Sequence, residues 1–163
     1  MFQRILVPID DNEMSRRALA TATTLAEALG ARVLALHVID PPPPYTTRIA
    51  QQLPAGELER SQDEHAAEVF ASLRPTGAAG ERVEFRTLRA ERRVWQEIVA
   101  AAQHADLVVV GTHGRDGVAR AMMGSVAEHV ARHDGLGGGA RGAPLARAGD
   151  ARALSVDREV ATP

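Results

Sequence analysis

Apolar runs of strand length alternate along this chain with amphipathic segments of helix length, and this alternation constrains the fold more than any other feature. Strand character is found at residues 4–10, 32–40, 82–88 and 106–111. Helices are predicted between these runs and after the last one, at residues 15–29, 57–73, 94–104 and 125–133. Ser15 is the expected N-cap of the first helix, and Gly30 is the glycine expected to end it. Because strands that alternate with helices normally lie side by side in the same direction, we expect an α/β fold with a doubly wound parallel sheet.

The composition narrows the classes of function. The chain has 163 residues and no cysteine, so thiol chemistry is excluded. Its formal net charge of −2 gives no case for a nucleic-acid or membrane partner. All 19 basic residues are arginine, so a bound phosphate would be held without the lysine of a P-loop. No apolar run is long enough to span a membrane, and the first residues lead into a strand, unlike a signal peptide. We therefore expect a cytoplasmic protein.

Residues 134–163 differ in character from the rest of the chain. They are rich in Gly, Ala and Arg, begin with "DGLGGGARGAPLARAG", and place their few apolar residues without a helical or strand period. Glycine is costly to order in a strand because it loses the most backbone freedom on folding. We expect a folded domain over residues 1–133 and a disordered tail after it. The fourth strand would then lie at an open edge, and deleting residues 140–163 would change stability little.

The segment "GTHGRDGVARAMMGS", residues 111–125, follows the fourth predicted strand. In parallel sheets, ligands bind beyond the carboxyl ends of the strands. Glycines allow backbone N–H groups to approach an anion, and Gly124 and Ser125 precede a helix whose N-terminus attracts negative charge. The same residues would also serve as turn glycines and a helix cap, so local chemistry leaves both interpretations open.

The spacing of Gly111, Gly114, Gly124 and Ser125 resembles the G-x2-G-x9-G-[ST] signature of ATP-binding universal stress proteins. "RILVPID" is similar to the first strand of that family, "ALHVID" to the second, and "DLVVVGTHGRDGVARAMMGSVAEHVAR" to its C-terminal signature. The resemblance spans residues 2–133 and implies a Rossmann-like fold of the adenine nucleotide alpha hydrolase-like type. The sequence departs from the family after residue 133, where the usual fifth, apolar strand is missing.

The resemblance also implies which residues would bind ATP. Asp10 corresponds to the acidic residue that approaches the ribose and the phosphate or metal region, so it would hold Mg²⁺ or Mn²⁺ that enters with the nucleotide. From the adenine through the ribose to the phosphates, the other matching positions are Pro8, Ile9, Val38, Val110, Gly111, Gly114, Arg115, Gly124, Ser125 and Val126, with His113 as a further phosphate contact. As alternatives, Asp10 is a turn or helix-capping carboxylate, and Val38 packs in the core.

A metal site on the last predicted helix is poorly supported. His129 and His133 share a helix face, but Val130 stands where a zinc protease of the zincin type has its glutamate. A helix face exposed to solvent explains this pair better.

Three functions stay open at the level of the sequence. The favoured one is regulatory ATP binding in a stress response, with little or no turnover and no catalytic residue. The second is a slow Mg-dependent ATPase or phosphotransferase that uses Asp10, with Ser125 or His113 as the acceptor. The third is a C-terminally damaged copy that binds nothing. Homodimers of the family often use the final strand, so its loss counts against a dimer here.

Overall fold

The fold is seen in a computed structural model that describes residues 2–40, 54, 56–111, 147–148 and 151–156. The strands are β1 (Arg4–Pro8), β2 (Arg32–Ile39), β3 (Val83–Arg89), β4 (Leu107–Gly111), β5 (Arg147–Ala148) and β6 (Ala151–Val156). The helices are α1 (Glu13–Leu29), α2 (Glu57–Leu73) and α3 (Val94–Ala102), and a 3₁₀ segment, Gly77–Arg82, precedes β3.

The strands form a sheet in the order β3-β2-β1-β4-β6-β5. β1 pairs in parallel with β2 and with β4, so that Ile5 has Val33 on one side and Leu107 on the other. β3 extends the sheet beyond β2 in parallel, and β6 extends it beyond β4 in parallel, while β5 is antiparallel to β6. The predicted α/β class with a parallel sheet is confirmed.

Helices cover both faces of the sheet, and each face has its own core. Alternate residues of the central strands point to opposite faces, which is why both Ile5 and Leu6 are buried. On one face, α1 and α2 cover the strands with Ala18, Leu19, Ala22, Val69 and Leu73. On the other face, α3 contributes Ile98 and Ala102. None of the helices in the described part of the chain has the length and apolar character needed to cross a membrane.

The expectation that no strand follows β4 is wrong. β6 (Ala151–Val156) pairs with β4 over the whole length of β4, from Leu107 opposite Arg152 to Gly111 opposite Val156. The sequence analysis expected a fifth strand to be a run of large apolar residues soon after residue 133, whereas the unpaired edge of β4 can be filled by any extended segment through backbone hydrogen bonds. The remaining residues of the predicted tail, 134–146, 149–150 and 157–163, lie outside the described residues, as does the helix predicted at 125–133.

The ends of α1 show one correct and one incorrect prediction. Gly30 ends the helix with φ at 67°, in the left-handed region that favours glycine, as the sequence predicted. The helix begins at Glu13 instead of Ser15, and Asn12 is the N-cap, since its side chain accepts a hydrogen bond from the Ser15 N–H. Ser15 lies inside the first turn and is available for another role.

Asp106 joins the start of β4 to the start of β1. Its Oδ2 accepts hydrogen bonds from the backbone N–H groups of Gln3 and Arg4, both at 2.9 Å. These two hydrogen bonds, led by the one from Gln3, lower the pKa of the Asp106 carboxyl below its ordinary value. The charged form is therefore favoured in the folded state.

Replacing Asp106 with Asn should lower the free energy of unfolding at pH 7 by about 1 kcal/mol, the typical net contribution of such hydrogen bonds. Because the folded-state pKa is lowered, the contribution of the carboxylate to the free energy of unfolding is fully present above the unfolded pKa of about 4. It is lost as the pH falls through the folded pKa, so the difference between the two proteins should shrink in acid. Urea unfolding at pH 7 and pH 3 measures this difference, with Glu27→Gln at an exposed position of α1 as the control. A difference that is the same at both pH values contradicts the prediction.

Candidate functional site

The carboxyl ends of three adjacent strands meet at one edge of the sheet. β1 lies between β2 and β4, and neighbouring strands are separated by about 4.8 Å. The ends of β2 and β4 are therefore about 10 Å apart, with Asp10 between them just beyond β1. This is the edge at which the sequence predicted a ligand.

Asp10 is held in one orientation by the first turn of α1. Its Oδ1 accepts hydrogen bonds from the Ser15 hydroxyl at 2.6 Å and from the Asn12 backbone N–H at 3.2 Å. Ser15 Oγ also accepts the Asp10 backbone N–H at 2.9 Å. Asp10 thus forms the turn contacts that the sequence analysis named as an alternative. Within the described residues these side-chain hydrogen bonds reach Oδ1, which leaves Oδ2 to face a ligand.

Ser15 is the residue that makes this arrangement rigid. It is fully buried, with 0% relative exposure, and its hydroxyl donates to the Asp10 carboxylate while accepting from the Asp10 N–H. The sequence analysis missed this role because it assigned Ser15 to the helix cap. The spacing of five residues from Asp10 is not a general signal for such a contact.

Replacing Ser15 with Ala should lower the free energy of unfolding by about 1–2 kcal/mol, because the half-buried Asp10 N–H loses its partner. Ser72→Ala is a matched control: Ser72 is an exposed helical serine whose hydroxyl donates to Val69 O at 2.9 Å. This control should change stability by less than about 0.5 kcal/mol. Chemical denaturation of the three proteins gives the comparison, and equal losses in both variants would remove the special role of Ser15.

A cleft of about 440 Å³ opens beside Asp10, on the side of β2 and α2. Its lining joins acidic, neutral polar and apolar groups: Asp10, Asp11, His37, Val38, Ile39, Asp40, Ser61, Gln62 and His65. The carboxylates come from the ends of β1 and β2, whereas Ser61, Gln62 and His65 come from α2. The sequence analysis did not identify these three α2 residues or His37.

His37 presents a defined hydrogen-bonding face to the cleft. Its Nδ1 lies 3.1 Å from the Ile9 carbonyl oxygen. Because a carbonyl oxygen accepts and does not donate, Nδ1 carries the hydrogen of that bond, and Nε2 of the neutral ring is an acceptor. The ring also stands edge-on to His65 and Phe70, with centroids 6.2 and 6.3 Å away. These contacts hold the ring between β2 and α2.

Arg89 fixes α2 over the end of the sheet. As the last residue of β3, it donates from Nη1 to Gln62 Oε1 at 2.7 Å, and from Nη2 to Asp63 Oδ1 at 2.6 Å and to the Glu59 carbonyl oxygen at 3.3 Å. Three contacts by one planar guanidinium restrain both the position and the rotation of the helix. α2, which forms one wall of the cleft, is therefore anchored to β3 at the edge of the sheet.

Gly111 ends β4 against the first turn of α1. A Cβ atom at this position would lie 2.7 Å from Met14 Cβ and 3.1 Å from the Met14 carbonyl oxygen. Glycine at 111 is thus required by the close approach of β4 and α1, independently of a ligand. The sequence analysis considered this glycine as a phosphate contact or a turn residue, and did not foresee its packing against α1.

The other predicted site residues divide into two groups. Pro8, Ile9, Val38 and Val110 have buried side chains, and Val38 and Val110 belong to the core on the α3 face. Val38 also lines the cleft, so core packing and a contact with a ligand are compatible for this residue. The predicted positions His113, Gly114, Arg115, Gly124, Ser125 and Val126 lie outside the described residues, as do His129 and His133.

No protein-only metal centre is present among the described ranges. Within residues 2–40, 54, 56–111, 147–148 and 151–156, no three histidine or carboxylate side chains are grouped closely enough to hold a metal ion. Asp10 offers one oxygen ligand of the kind that Mg²⁺ prefers, and Mg²⁺ commonly binds through one or two carboxylates together with substrate phosphates. The residues present therefore fit a metal that arrives with a phosphate ligand.

Comparison with known proteins gives a consistent result. The model of the universal stress protein family matches residues 1–133. A curated Thermus aquaticus relative, described as a universal stress protein in the QAH/OAS sulfhydrylase 3′ region, is 32% identical over 133 residues, which is 80% of this chain and 91% of the relative.

Two solved structures of similar fold are complexes with nucleotides. A universal stress protein in complex with cAMP has a TM-score of 0.60 at 20% identity, covering 95% of this chain and 97% of that one. The universal stress protein from Archaeoglobus fulgidus in complex with dAMP has a TM-score of 0.51 at 20% identity, covering 79% and 89%. At these identities the likeness concerns the fold.

Proposed function

Since this chain belongs to the universal stress protein family, we propose that it is a regulatory ATP-binding protein of the stress response with little or no turnover. The observation that carries the proposal is the edge where β2, β1 and β4 end together, with the Asp10 carboxylate fixed between them by Ser15. Two proteins of similar fold are described in complex with adenine nucleotides, cAMP and dAMP. A nucleotide is thus the ligand class that best suits this edge.

The charges along the edge indicate how the nucleotide would lie. Asp10, Asp11 and Asp40 line the cleft, and carboxylates would repel bare phosphates. The cleft also carries apolar and neutral polar groups, which suit an uncharged base. We therefore propose that the base enters the cleft at the β2 and α2 end, and that the phosphates lie toward the glycine segment that follows β4.

Asp10 would then hold Mg²⁺ or Mn²⁺ bound to the phosphates. The metal would neutralise phosphate charge beside the carboxylate, which Asp10 cannot do by itself. Ser15 would keep Oδ1 in place, so that Oδ2 stays directed at the ligand. The sequence has no lysine, and so lacks the residue that P-loop enzymes and kinases place on a transferred phosphoryl group, which favours binding over turnover.

Replacing Asp10 with Asn should weaken the binding of Mg-ATP by about tenfold, the effect of losing one charge-assisted contact. Binding of AMP should change less, because its single phosphate would bind the metal more weakly than a triphosphate. Asparagine keeps an oxygen that can accept from Ser15, so the turn is preserved. Calorimetric titration with each nucleotide gives the two ratios. Equal weakening of Mg-ATP and AMP would place Asp10 at the ribose and remove its metal role.

A combined binding and turnover experiment tests the proposed function. Purified protein is incubated with Mg-ATP, and both bound nucleotide and released phosphate are quantified. We expect bound ATP without steady phosphate release, and no binding by the Gly124→Val variant, whose branched side chain would obstruct backbone N–H groups in the glycine segment. Steady release would instead support the slow ATPase, and a failure of the wild type to bind would support the damaged copy.

Homodimerisation is a further part of the proposal. The argument against a dimer depended on a missing final strand, and β6 occupies that position beside β4. Cytoplasmic location and the absence of nucleic-acid and membrane partners stay predictions from the sequence.

A further inference from the structure

The hydrogen-bonding direction of Gln62, a second polar group in the cleft, is decided by Arg89. It lies on α2, is half-buried and lines the cleft together with Val38 and Ile39 of β2. Its side-chain oxygen accepts from Arg89 Nη1 at 2.7 Å.

The chemistry of Arg89 fixes which end of the amide is free. A guanidinium group carries hydrogen-bond donors and no acceptor. Rotating the amide by 180° would therefore bring its N–H₂ group against another donor, which is unfavourable. The guanidinium itself is held by Asp63 at 2.6 Å and by the Glu59 carbonyl oxygen at 3.3 Å. The oxygen of Gln62 is thus occupied, and its N–H₂ group is what the residue can offer to a ligand.

From this arrangement we propose that Gln62 donates an amide N–H to a ring nitrogen of the bound purine and so contributes to base selection. The proposal rests on the proposed function, because it assumes that the base lies in the cleft. A free glutamine could present either a donor or an acceptor, and would accept several bases alike. A glutamine whose oxygen is held by Arg89 presents a donor, and a donor selects a base with an acceptor at that position.

The ring nitrogens N1, N3 and N7 are the acceptors of adenine. ATP analogues in which one of these nitrogens is replaced by C–H remove a single acceptor while the shape is kept. We expect one of 1-deaza-, 3-deaza- and 7-deaza-ATP to bind the wild type about tenfold more weakly than ATP, the effect of losing one hydrogen bond. The identity of that analogue would also show which edge of the base faces α2.

Gln62→Glu is the matching variant. The carboxylate keeps an oxygen for Arg89, so the anchor of α2 is preserved, but the N–H donor is lost. Any long-range effect of the added charge would act on ATP and on its analogue alike, while the carboxylate oxygen would repel the ring nitrogen that only ATP carries. The ratio of their two affinities should therefore fall from about ten to about one or below in this variant. Gln103→Glu makes the same change at an exposed position at the end of α3, and it should leave the ratio unchanged.

Titrations of each ATP analogue into the wild type and the two variants decide the matter, with circular dichroism to verify that each protein is folded. A ratio near ten in the wild type that disappears in Gln62→Glu supports the proposal. Equal affinities of the wild type for ATP and all three analogues, or a ratio that persists in Gln62→Glu, would overturn it while the proposed function stands. Failure of the wild type to bind ATP would overturn both.

Discussion

A chain that ends at residue 146, and so lacks β5 and β6, is expected to lose about 3–5 kcal/mol of its free energy of unfolding. β6 pairs with β4 across five residues of each strand, and backbone hydrogen bonds contribute about 1 kcal/mol each. All five residues of β4 are buried in the full chain. Without β6, β4 would become the edge of the sheet. Because domains are stable by about 5–15 kcal/mol in total, this loss is large.

Urea unfolding followed by circular dichroism measures the effect, and a chain that lacks residues 157–163 alone is the control. The control removes residues beyond β6 and should differ from the full chain by less than about 0.5 kcal/mol. Amide exchange provides a second observation. The Asp106 N–H donates to Arg4 of the β1 side, and N–H groups alternate in direction along a strand, so those of Val109 and Gly111 point to β6. These two should exchange faster in the chain that ends at residue 146. Equal stability of all three proteins would show that β6 adds nothing to the fold, as the sequence alone suggested.

Replacing Gly111 with Ala should lower the free energy of unfolding by about 1–3 kcal/mol, the usual range for an atom forced into a packed site. The added Cβ would meet Met14 Cβ at 2.7 Å and the Met14 carbonyl oxygen at 3.1 Å. Neither atom belongs to the flexible end of a side chain, so relief would require β4 and α1 to move apart. The change should also disturb the neighbouring first turn that holds Asp10.

A double-mutant cycle identifies the contact. Met14→Gly removes the Cβ that lies nearest to the added atom, so Gly111→Ala should cost less in that background than in the wild type. Unfolding free energies of the four proteins give the coupling. The same cost in both backgrounds would show that Met14 is not the obstacle. Unchanged stability of Gly111→Ala with a loss of ATP binding would return Gly111 to the ligand role that the sequence analysis assigned to it.

The order of strands and helices could be predicted from the sequence because it depends on local periodicity. Runs such as residues 4–10 and 106–111 are continuous in apolar character, as strands buried on both faces are. Gly30 could be placed at the end of α1 for the same reason, since a left-handed residue after an amphipathic helix is a local requirement. These features involve residues near one another in the chain.

β6 was missed because its pairing is made through the backbone. Leu154 and Val156 are two residues apart, which is the strand spacing, but the segment is short and rich in alanine. Its place depends on the unpaired edge of β4, a strand that ends 40 residues before β6 begins. Periodicity carries no information about such an edge.

The sequence predicted the candidate site at the edge where the strands end, but several residues that line the cleft there depend on long-range contacts. Arg89 and Gln62 are 27 residues apart, and their hydrogen bond arises from the packing of α2 beside β3. Ser15 was assigned to the helix cap because Asn12, the actual cap, is an equally good capping residue type. The two alternatives for Asp10 were not exclusive, since one carboxylate oxygen makes the turn and the other is left for a ligand.

The most direct test of the central claim is a titration of the ¹⁵N-labelled protein with Mg-ATP, followed through its backbone amide signals. The claim is that a nucleotide binds where β1, β2 and β4 end together. We expect saturable shifts at Asp10, Asp40 and Gly111, while Arg32 and Leu107 at the opposite edge of the sheet stay unchanged. The absence of saturable shifts, or shifts centred on that opposite edge, would contradict the account.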